Sequence, residues 1–249
     1  MNVLHPDLIL PPDNTQDSTR IDGGKPKRNL YLPSQLKVDN FSYCFTNITS
    51  TSSPVLLGLP ANLSGGASSG AAVQTTPLNT TSTFYYYLNL KSIITVGSTT
   101  LQVPASAFAL NADGTGGTII DSGTSITSLP PHVFSLLRDA FVSQLNMTPV
   151  AVTSLPDVLC FPASTQTTTM PKLDLPRENY VFPQDNNTCI AILQSSGGNN
   201  MTIIGTYQRQ NLNVLYDLAG DTLSFVPAQC DKVAIFVAIC EGYLGIAPH

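Results

Sequence analysis

The sequence contains little charge, no tryptophan and only three histidines. Charged residues make up 11% of its 249 residues, far below the roughly 25% usual for soluble domains. The net charge is −5, and Lys and Arg form no stripe with interleaved aromatics, which argues against nucleic acid as a partner. The sequence is rich instead in Ser, Thr, Asn, Gly and Pro, the residues typical of turns and of polar strand faces. This composition favours an extracellular or vacuolar protein.

Long hydrophobic runs are absent as well. The first 12 residues include an acidic residue, a histidine and prolines but no basic start, so we expect no signal peptide on this chain. The later apolar run, residues 233–239, is too short to cross a bilayer, and we expect no membrane span. Seven N-x-Ser/Thr triplets are candidate glycosylation sites if the chain is exported. They begin at Asn40, Asn47, Asn62, Asn79, Asn146, Asn186 and Asn200.

The cysteines form no C-x-x-C pair, and with so few histidines a zinc site is not expected. We expect neither a metal nor a cofactor. Disulfides fit an oxidising compartment, and the odd number of cysteines leaves one thiol over. The five are Cys44, Cys160, Cys189, Cys230 and Cys240.

Hydrophobic patterning predicts an all-β domain with one or two short helices. Residues 131–145 form the predicted helix, because Val133, Phe134, Leu137, Phe141 and Leu145 recur at helical spacing. Residues 1–29 are polar and aperiodic, which predicts a loose arm, and residues 62–83 predict a surface loop. The runs 84–90 and 93–97 are close enough along the chain to pair as strands.

One motif carries recognisable chemistry. Ile119 and Ile120 lead directly into Asp121, Ser122, Gly123, Thr124 and Ser125. An apolar strand of this kind delivers a carboxylate to a turn, where Gly123 lets the backbone come close to a partner. The hydroxyls of Ser122, Thr124 and Ser125, together with nearby N–H groups, can hydrogen-bond the carboxylate.

Residues 119–125 resemble the second catalytic motif of pepsin-like aspartic peptidases, and the surrounding sequence resembles their plant, nepenthesin-like branch. The resemblance extends from about residue 30 to residue 230, with a core at about 84–227, and leaves out the tail 231–249. The supporting matches, in order, are residues 32–36, 41–45, 55–58, 76–78, 84–86, 113–117, 129–130, 203–205 and 216–218.

The resemblance implies a role for several residues. Asp121 corresponds to the second catalytic aspartate, and Ser122, Gly123, Thr124 and Ser125 support the active site. Ile119 and Ile203 are candidates for the substrate cleft. Ile203, Ile204 and Gly205 correspond to an apolar pair plus glycine that packs against the catalytic loop. The resemblance also implies the disulfides Cys44–Cys230 and Cys160–Cys189, with Cys240 left as the free thiol.

A pepsin-like mechanism needs two aspartates, and the sequence offers only one complete motif. Asp22 and Asp113 are each followed by glycine, but neither has both an apolar strand before it and Thr-Ser after it. We therefore expect the carboxyl-terminal lobe of an acid-protease fold, with the amino-terminal lobe missing. The expected function is that of an aspartic endopeptidase, which hydrolyses peptide or protein substrates with a water activated between two aspartates. The isolated chain is expected to be inactive.

Two alternatives remain open. Relatives of this fold inhibit xylan-degrading enzymes, so the chain could be a binding module without catalysis. Alternatively, two copies could each donate Asp121 to a homodimeric peptidase, as in retroviral enzymes, although those chains are about half this length.

Overall fold

The computed structural model describes residues 38–48, 53–58, 63, 70–79, 85–90, 94–163, 170–171, 173, 175–196, 198 and 200–233. The predicted arm 1–29, Asp22, the motif at 32–36, Asn62 and Cys240 lie outside these residues.

The regular structure of the described chain is mainly β-strand with one α-helix, which confirms the predicted fold class. The strands are β1 Asn40–Cys44, β2 Val55–Leu57, β3 Gln74–Asn79, β4 Tyr87–Leu88, β5 Ile94–Val96, β6 Thr99–Leu101, β7 Thr118–Ile120, β8 Thr127–Leu129, β9 Val158–Pro162, β10 Val181–Gln184, β11 Asn187–Gln194, β12 Thr202–Ile204, β13 Leu212–Asp217 and β14 Thr222–Pro227. Short 3₁₀ helices cover Ala105–Phe108, Arg177–Asn179, Tyr207–Arg209 and Cys230–Lys232.

Twelve strands form one mixed sheet in the order β10-β11-β8-β12-β7-β4-β3-β14-β13-β1-β2, with β9 paired to β11. Strands β5 and β6 form a separate hairpin. Two pairs, β7 with β12 and β8 with β11, are parallel. Parallel neighbours end at the same edge of a sheet, and this arrangement positions the site described below.

The helix α1, Pro131–Leu145, has the bounds that its periodicity predicts. Proline is favoured in the first turn because the N–H groups there have no acceptor within the helix, so the N–H that proline lacks costs no hydrogen bond. The helix is capped by Asn146, which follows Leu145 and adopts the left-handed conformation with φ 50°. Its apolar face is buried against Phe161 and Ile190 of the sheet.

A second core lies on the other part of the sheet, where β1, β13 and β14 meet. Phe41 and Tyr216 stack there with ring centroids 4.3 Å apart. The alternation of aromatic and small residues in 41–45 predicts a strand, and the structure forms β1 over it.

The structure overturns two local expectations. Residues 74–79 form strand β3, although the Ser/Thr/Gly-rich region 62–83 predicts a loop. The runs at 84–90 and 93–97 do not pair with each other within the described residues. Instead β4 pairs with β3 and β7, and β5 pairs with β6. Strands β3 and β4 also pair with the more distant strands β14 and β7, whereas β5 pairs with its immediate neighbour β6 in a short hairpin.

The described residues form two disulfides, Cys44–Cys230 and Cys160–Cys189, the pairs that the resemblance implies. The first joins the start and the end of the described chain, and the second links β9 to β11. Among the described residues, no helix is long and apolar enough to cross a membrane.

Candidate active site

Two parallel strands deliver the candidate aspartate to an exposed turn. Ile119 and Ile120 of β7 pair in register with Ile203 and Ile204 of β12. The main-chain N–H of Asp121 then donates to the carbonyl oxygen of Ile204, with the two atoms 3.2 Å apart. Asp121 therefore leaves the sheet beside Gly205, at the edge where both strands end.

Donors from its own turn hold the Asp121 carboxylate. The N–H of Gly123 donates to Oδ1 at 3.0 Å, and Oγ1 of Thr124 donates to Oδ2 at 2.5 Å. Each carboxylate oxygen thus has a donor, which fixes the orientation of the group. The Asp121 residue remains half-buried, so it is partly accessible to solvent. Within the described residues, its hydrogen bonds go to these two donors and none joins it to another carboxyl group.

Gly205 allows the second strand to approach the turn closely. A Cβ atom on Gly205 would lie 2.6 Å from the carbonyl oxygen of Ser125 and 2.9 Å from the carbonyl carbon of Ile126. The next two residues also bind the turn, since the N–H of Thr206 donates to the carbonyl of Thr124 at 2.8 Å. The N–H of Tyr207 donates to the carbonyl of Ser125 at 3.0 Å. Only glycine fits between these contacts without moving backbone atoms.

A buried polar network supports Gly205 from behind. The N–H of Gly205 donates to Oγ1 of Thr127 at 2.9 Å, and that hydroxyl donates to Oε1 of Gln208. Nε2 of Gln208 donates to the carbonyls of Asn179 and Ala191, at 3.1 Å and 3.0 Å. Sequence reasoning missed Thr127 and Gln208. The sequence shows only that polar residues follow the apolar pair Ile203–Ile204. No spacing rule predicts which group the side chain of Gln208 would bind.

The turn opens onto a cleft of about 230 Å³. Ser122, Gly123 and Ser125 form one side of it, so hydroxyl and backbone groups are available to an extended peptide. The other lining residues are Phe45, Thr46, Asn47, Ile48, Ser53, Thr206 and Gln210.

Ile119 and Ile203, both predicted to line a cleft, differ in burial. Ile119 is only 2% exposed and packs with Tyr87 and Met201, so it is a core residue and its burial contradicts a cleft role. Residues on a strand covered from both sides have no open face. Ile203 is partly buried against the same cluster and remains a candidate.

Asp113, the competing Asp-Gly site, has a local structural role. Its Oδ1 accepts hydrogen bonds from the N–H and the Oγ1 of Thr115, at 2.9 Å and 2.7 Å. The Thr115 backbone N–H, followed by the Thr115 hydroxyl, lowers the pKa of this fully exposed carboxyl. This geometry is an Asx turn, which explains the residue without catalysis.

The predicted glycosylation sites differ in exposure. Asn40 is half-buried in β1, between two paired strands. The exposed candidates among the described residues are Asn47, Asn79, Asn146, Asn186 and Asn200. In the part of the chain that the structure describes, no three His, Cys, Asp or Glu side chains group as a metal site would require.

The known proteins that this chain resembles include plant aspartic proteinases. A family described as "Xylanase inhibitor C-terminal" matches residues 85–227. Aspartic proteinase nepenthesin-1 from Nepenthes gracilis is 41% identical over 216 residues, which cover 81% of this chain and 48% of the relative. Nepenthesin-2 from the same plant is 40% identical, with the same coverage. The chain therefore spans about half the length of the curated relatives it matches.

Solved structures show the same fold at low sequence identity. The crystal structure titled "edgp" has a TM-score of 0.62 and 19% identity, and it covers 82% of this chain and 58% of that chain. The crystal structure of basic 7S globulin from soybean has a TM-score of 0.60 and 21% identity, and the match covers 82% of this chain and 57% of that chain. The sheet, the Asp121 turn and these matches agree: the chain belongs to the xylanase inhibitor C-terminal family and is a plant pepsin-like carboxyl-terminal region of the aspartic-peptidase type.

Proposed function

We propose that this chain supplies Asp121 as one of the two catalytic carboxylates of an aspartic endopeptidase. The observation that carries the proposal is the half-buried carboxylate, which Gly123 and Thr124 hold by hydrogen bonds in a turn whose residues Ser122, Gly123 and Ser125 line an open cleft. The aspartic proteinases of Nepenthes gracilis, at 40–41% identity, support the same chemistry.

The proposed reaction needs a second carboxylate close to Asp121. Two such groups share one proton, because like charges at short range do not both ionise. The ionised member takes a proton from water, and the protonated member donates a hydrogen bond to the carbonyl of the scissile peptide. We assign the second carboxylate to an amino-terminal lobe, in the part of the relatives' length that this chain does not cover.

Residues 30–230 form the lobe in this proposal. Peptides or proteins are its substrates, and an extracellular or vacuolar compartment is its location. The two disulfides and the exposed N-x-Ser/Thr sites support an oxidising, glycosylating route.

The test compares the full chain alone with the chain combined with the amino-terminal half of nepenthesin-1. We expect no hydrolysis of a peptide substrate at acidic pH by the chain alone, and pepstatin-sensitive hydrolysis by the combination. Asp121→Asn keeps the size of the side chain but cannot act as a base, so it should abolish the activity. Asp113→Asn, at the structural Asx turn, is the matched control and should retain it. Pepstatin-sensitive cleavage by the isolated monomer, or full activity of Asp121→Asn, would contradict the proposal.

A binding function is the second candidate, because the matching family is described as a xylanase inhibitor domain. Its test is capture of purified xylanases by the immobilised chain. Tight binding, combined with no peptidase activity after the amino-terminal half is added, would favour this candidate. The donors around Asp121 favour the peptidase.

A further inference from the structure

Arg209 is a basic residue buried directly behind the candidate catalytic turn. Its exposed fraction is 2%, and it lies at the end of the 3₁₀ helix Tyr207–Arg209, close after β12. A buried charge is costly unless it is paired and hydrogen-bonded. Within the described residues Arg209 forms no salt bridge, so other groups must compensate its charge.

Carbonyl oxygens, a phenol hydroxyl and two aromatic rings surround the guanidinium group and stabilise its charge. Nε donates to the carbonyl oxygen of Gly205 at 3.0 Å, Nη2 donates to the main-chain carbonyl oxygen of Asp121, and Nη1 donates to the hydroxyl of Tyr43. Its central carbon lies 5.4 Å from the ring centroid of Tyr43 and 5.3 Å from that of Phe45, within the range of cation–π contacts.

The contact with Asp121 acts on the orientation of a peptide plane. The Asp121 carbonyl belongs to the same planar unit as the N–H of Ser122, so a hydrogen bond to it fixes the rotation of the chain at the start of the turn. That rotation determines where the N–H of Gly123 points, and this N–H binds the Asp121 carboxylate. Arg209 therefore controls the carboxylate through the backbone without contacting it.

Tyr43 connects this arrangement to the rest of the sheet. Its hydroxyl lies 3.0 Å from that of Tyr216 on β13. Burial, with a further contribution from Tyr43, raises the pKa of Tyr216 well above its usual range, so its phenol is neutral and supplies no counter-charge to Arg209. The row Tyr216, Tyr43, Arg209 thus provides a rigid support for the turn.

We infer that Arg209 is a positioning residue for the proposed peptidase reaction: its forked guanidinium binds the Asp121 and Gly205 carbonyls together and holds the catalytic turn in its working orientation. This inference rests on the proposed function of Asp121. It also assigns Tyr43 a secondary part, as the acceptor that orients the guanidinium.

The decisive variant is Arg209→Lys. Lysine keeps the positive charge and much of the volume, but its single nitrogen cannot reproduce the planar fork that binds two carbonyls and a phenol. Arg138→Gln is the control, since Arg138 lies half-exposed on α1 and takes no part in the turn. Both are made in the full chain, once alone with isotopic labels and once combined with the amino-terminal half of nepenthesin-1.

Two readouts separate positioning from stability. In the NMR spectrum of the labelled chain, introducing Asp121→Asn should shift the Gly123 amide proton, because this N–H binds Oδ1 of Asp121. In the Arg209→Lys background that response should be lost while α1 resonances stay unchanged. In the two-lobe enzyme, Arg209→Lys should lower kcat by at least about tenfold and leave KM within about twofold of wild type. The reason is that the substitution displaces the Asp121 carboxylate and leaves the groups that bind the substrate unchanged. Arg138→Gln should change neither quantity.

A wild-type Gly123 response or an unchanged kcat in Arg209→Lys overturns the inference. If Arg209→Lys does not fold, Tyr43→Phe replaces it, because it removes the acceptor of Nη1 and the contact with the Tyr216 hydroxyl but keeps the ring and the guanidinium. A weakened Gly123 response and a kcat lowered a few-fold then support the inference, and wild-type values refute it. If the wild-type two-lobe enzyme has no activity, the proposed function of Asp121 fails, and the Gly123 response alone decides the role of Arg209.

Discussion

Replacing Gly205 by alanine tests whether close backbone approach holds the catalytic turn. The new Cβ would lie 2.6 Å from the Ser125 carbonyl oxygen and 2.9 Å from the Ile126 carbonyl carbon. Both are backbone atoms, and hydrogen bonds from Thr206 and Tyr207 hold this stretch in place. The clash can therefore be relieved only by separating β12 from the turn.

The expected cost follows from two opposing effects. Overpacking of a tight site costs about 1–3 kcal/mol, and rigid backbone neighbours place Gly205 near the upper end. Alanine also restricts the unfolded chain, which offsets about 0.4–1 kcal/mol. We expect a net loss of about 2 kcal/mol, or a Tm lowered by roughly 4–8 °C for a domain of this size.

Gly220→Ala is the matched control. Its Cβ would come as close, 2.7 Å, but to Oδ2 of Asp217, a side-chain atom that can rotate away. We expect a change of about 0.5 kcal/mol or less, as for most surface substitutions. The assay is urea unfolding of both variants alongside the wild type. Equal stabilities for Gly205→Ala and Gly220→Ala would refute the argument that the turn and β12 are held in rigid contact.

Two further predictions concern stability. Burial raises the pKa of Tyr216, so above about pH 10 the unfolded chain loses this proton while the folded chain keeps it, and stability falls as pH rises. Urea unfolding of Tyr216→Phe should therefore lose less stability between pH 9 and pH 11, roughly the interval around the ordinary tyrosine pKa; an identical pH dependence would show that Tyr216 is not the group responsible. The disulfide Cys44–Cys230 closes a separation of 186 residues and Cys160–Cys189 one of 29. Chain entropy then gives stabilisations of about 5.3 and about 3.6 kcal/mol, so double serine variants of the first pair should unfold at lower urea than those of the second. The reverse order would contradict the entropic explanation.

Features that depend on neighbouring residues were predictable from the sequence. The helix 131–145 follows from apolar residues at helical spacing, and its bounds match α1. The Ile119–Ile120 pair before Asp121 predicts a strand that ends in a turn, and β7 ends at Ile120. The carboxylate donors were predicted as a group of hydroxyls and N–H groups, of which the described structure uses Thr124 and the N–H of Gly123.

Features that depend on distant pairing were not predictable. Strand β3 lies in a polar stretch that reads as a loop, and its partners β14 and β4 supply the hydrogen bonds that make it a strand. Ile119 has the same apolar character as Ile203, and only the neighbours Tyr87 and Met201 make it a core residue.

The sequence by itself determined the identity of the carboxylate and the strand-turn element that presents it, because both lie within seven consecutive residues. Tertiary structure alone decided how that turn is held. Arg209 is 88 residues from Asp121 along the chain, and Tyr43 is 166 residues from Arg209. A buried cation among carbonyls and rings has no local pattern, because its environment is assembled from segments that meet only when the sheet forms.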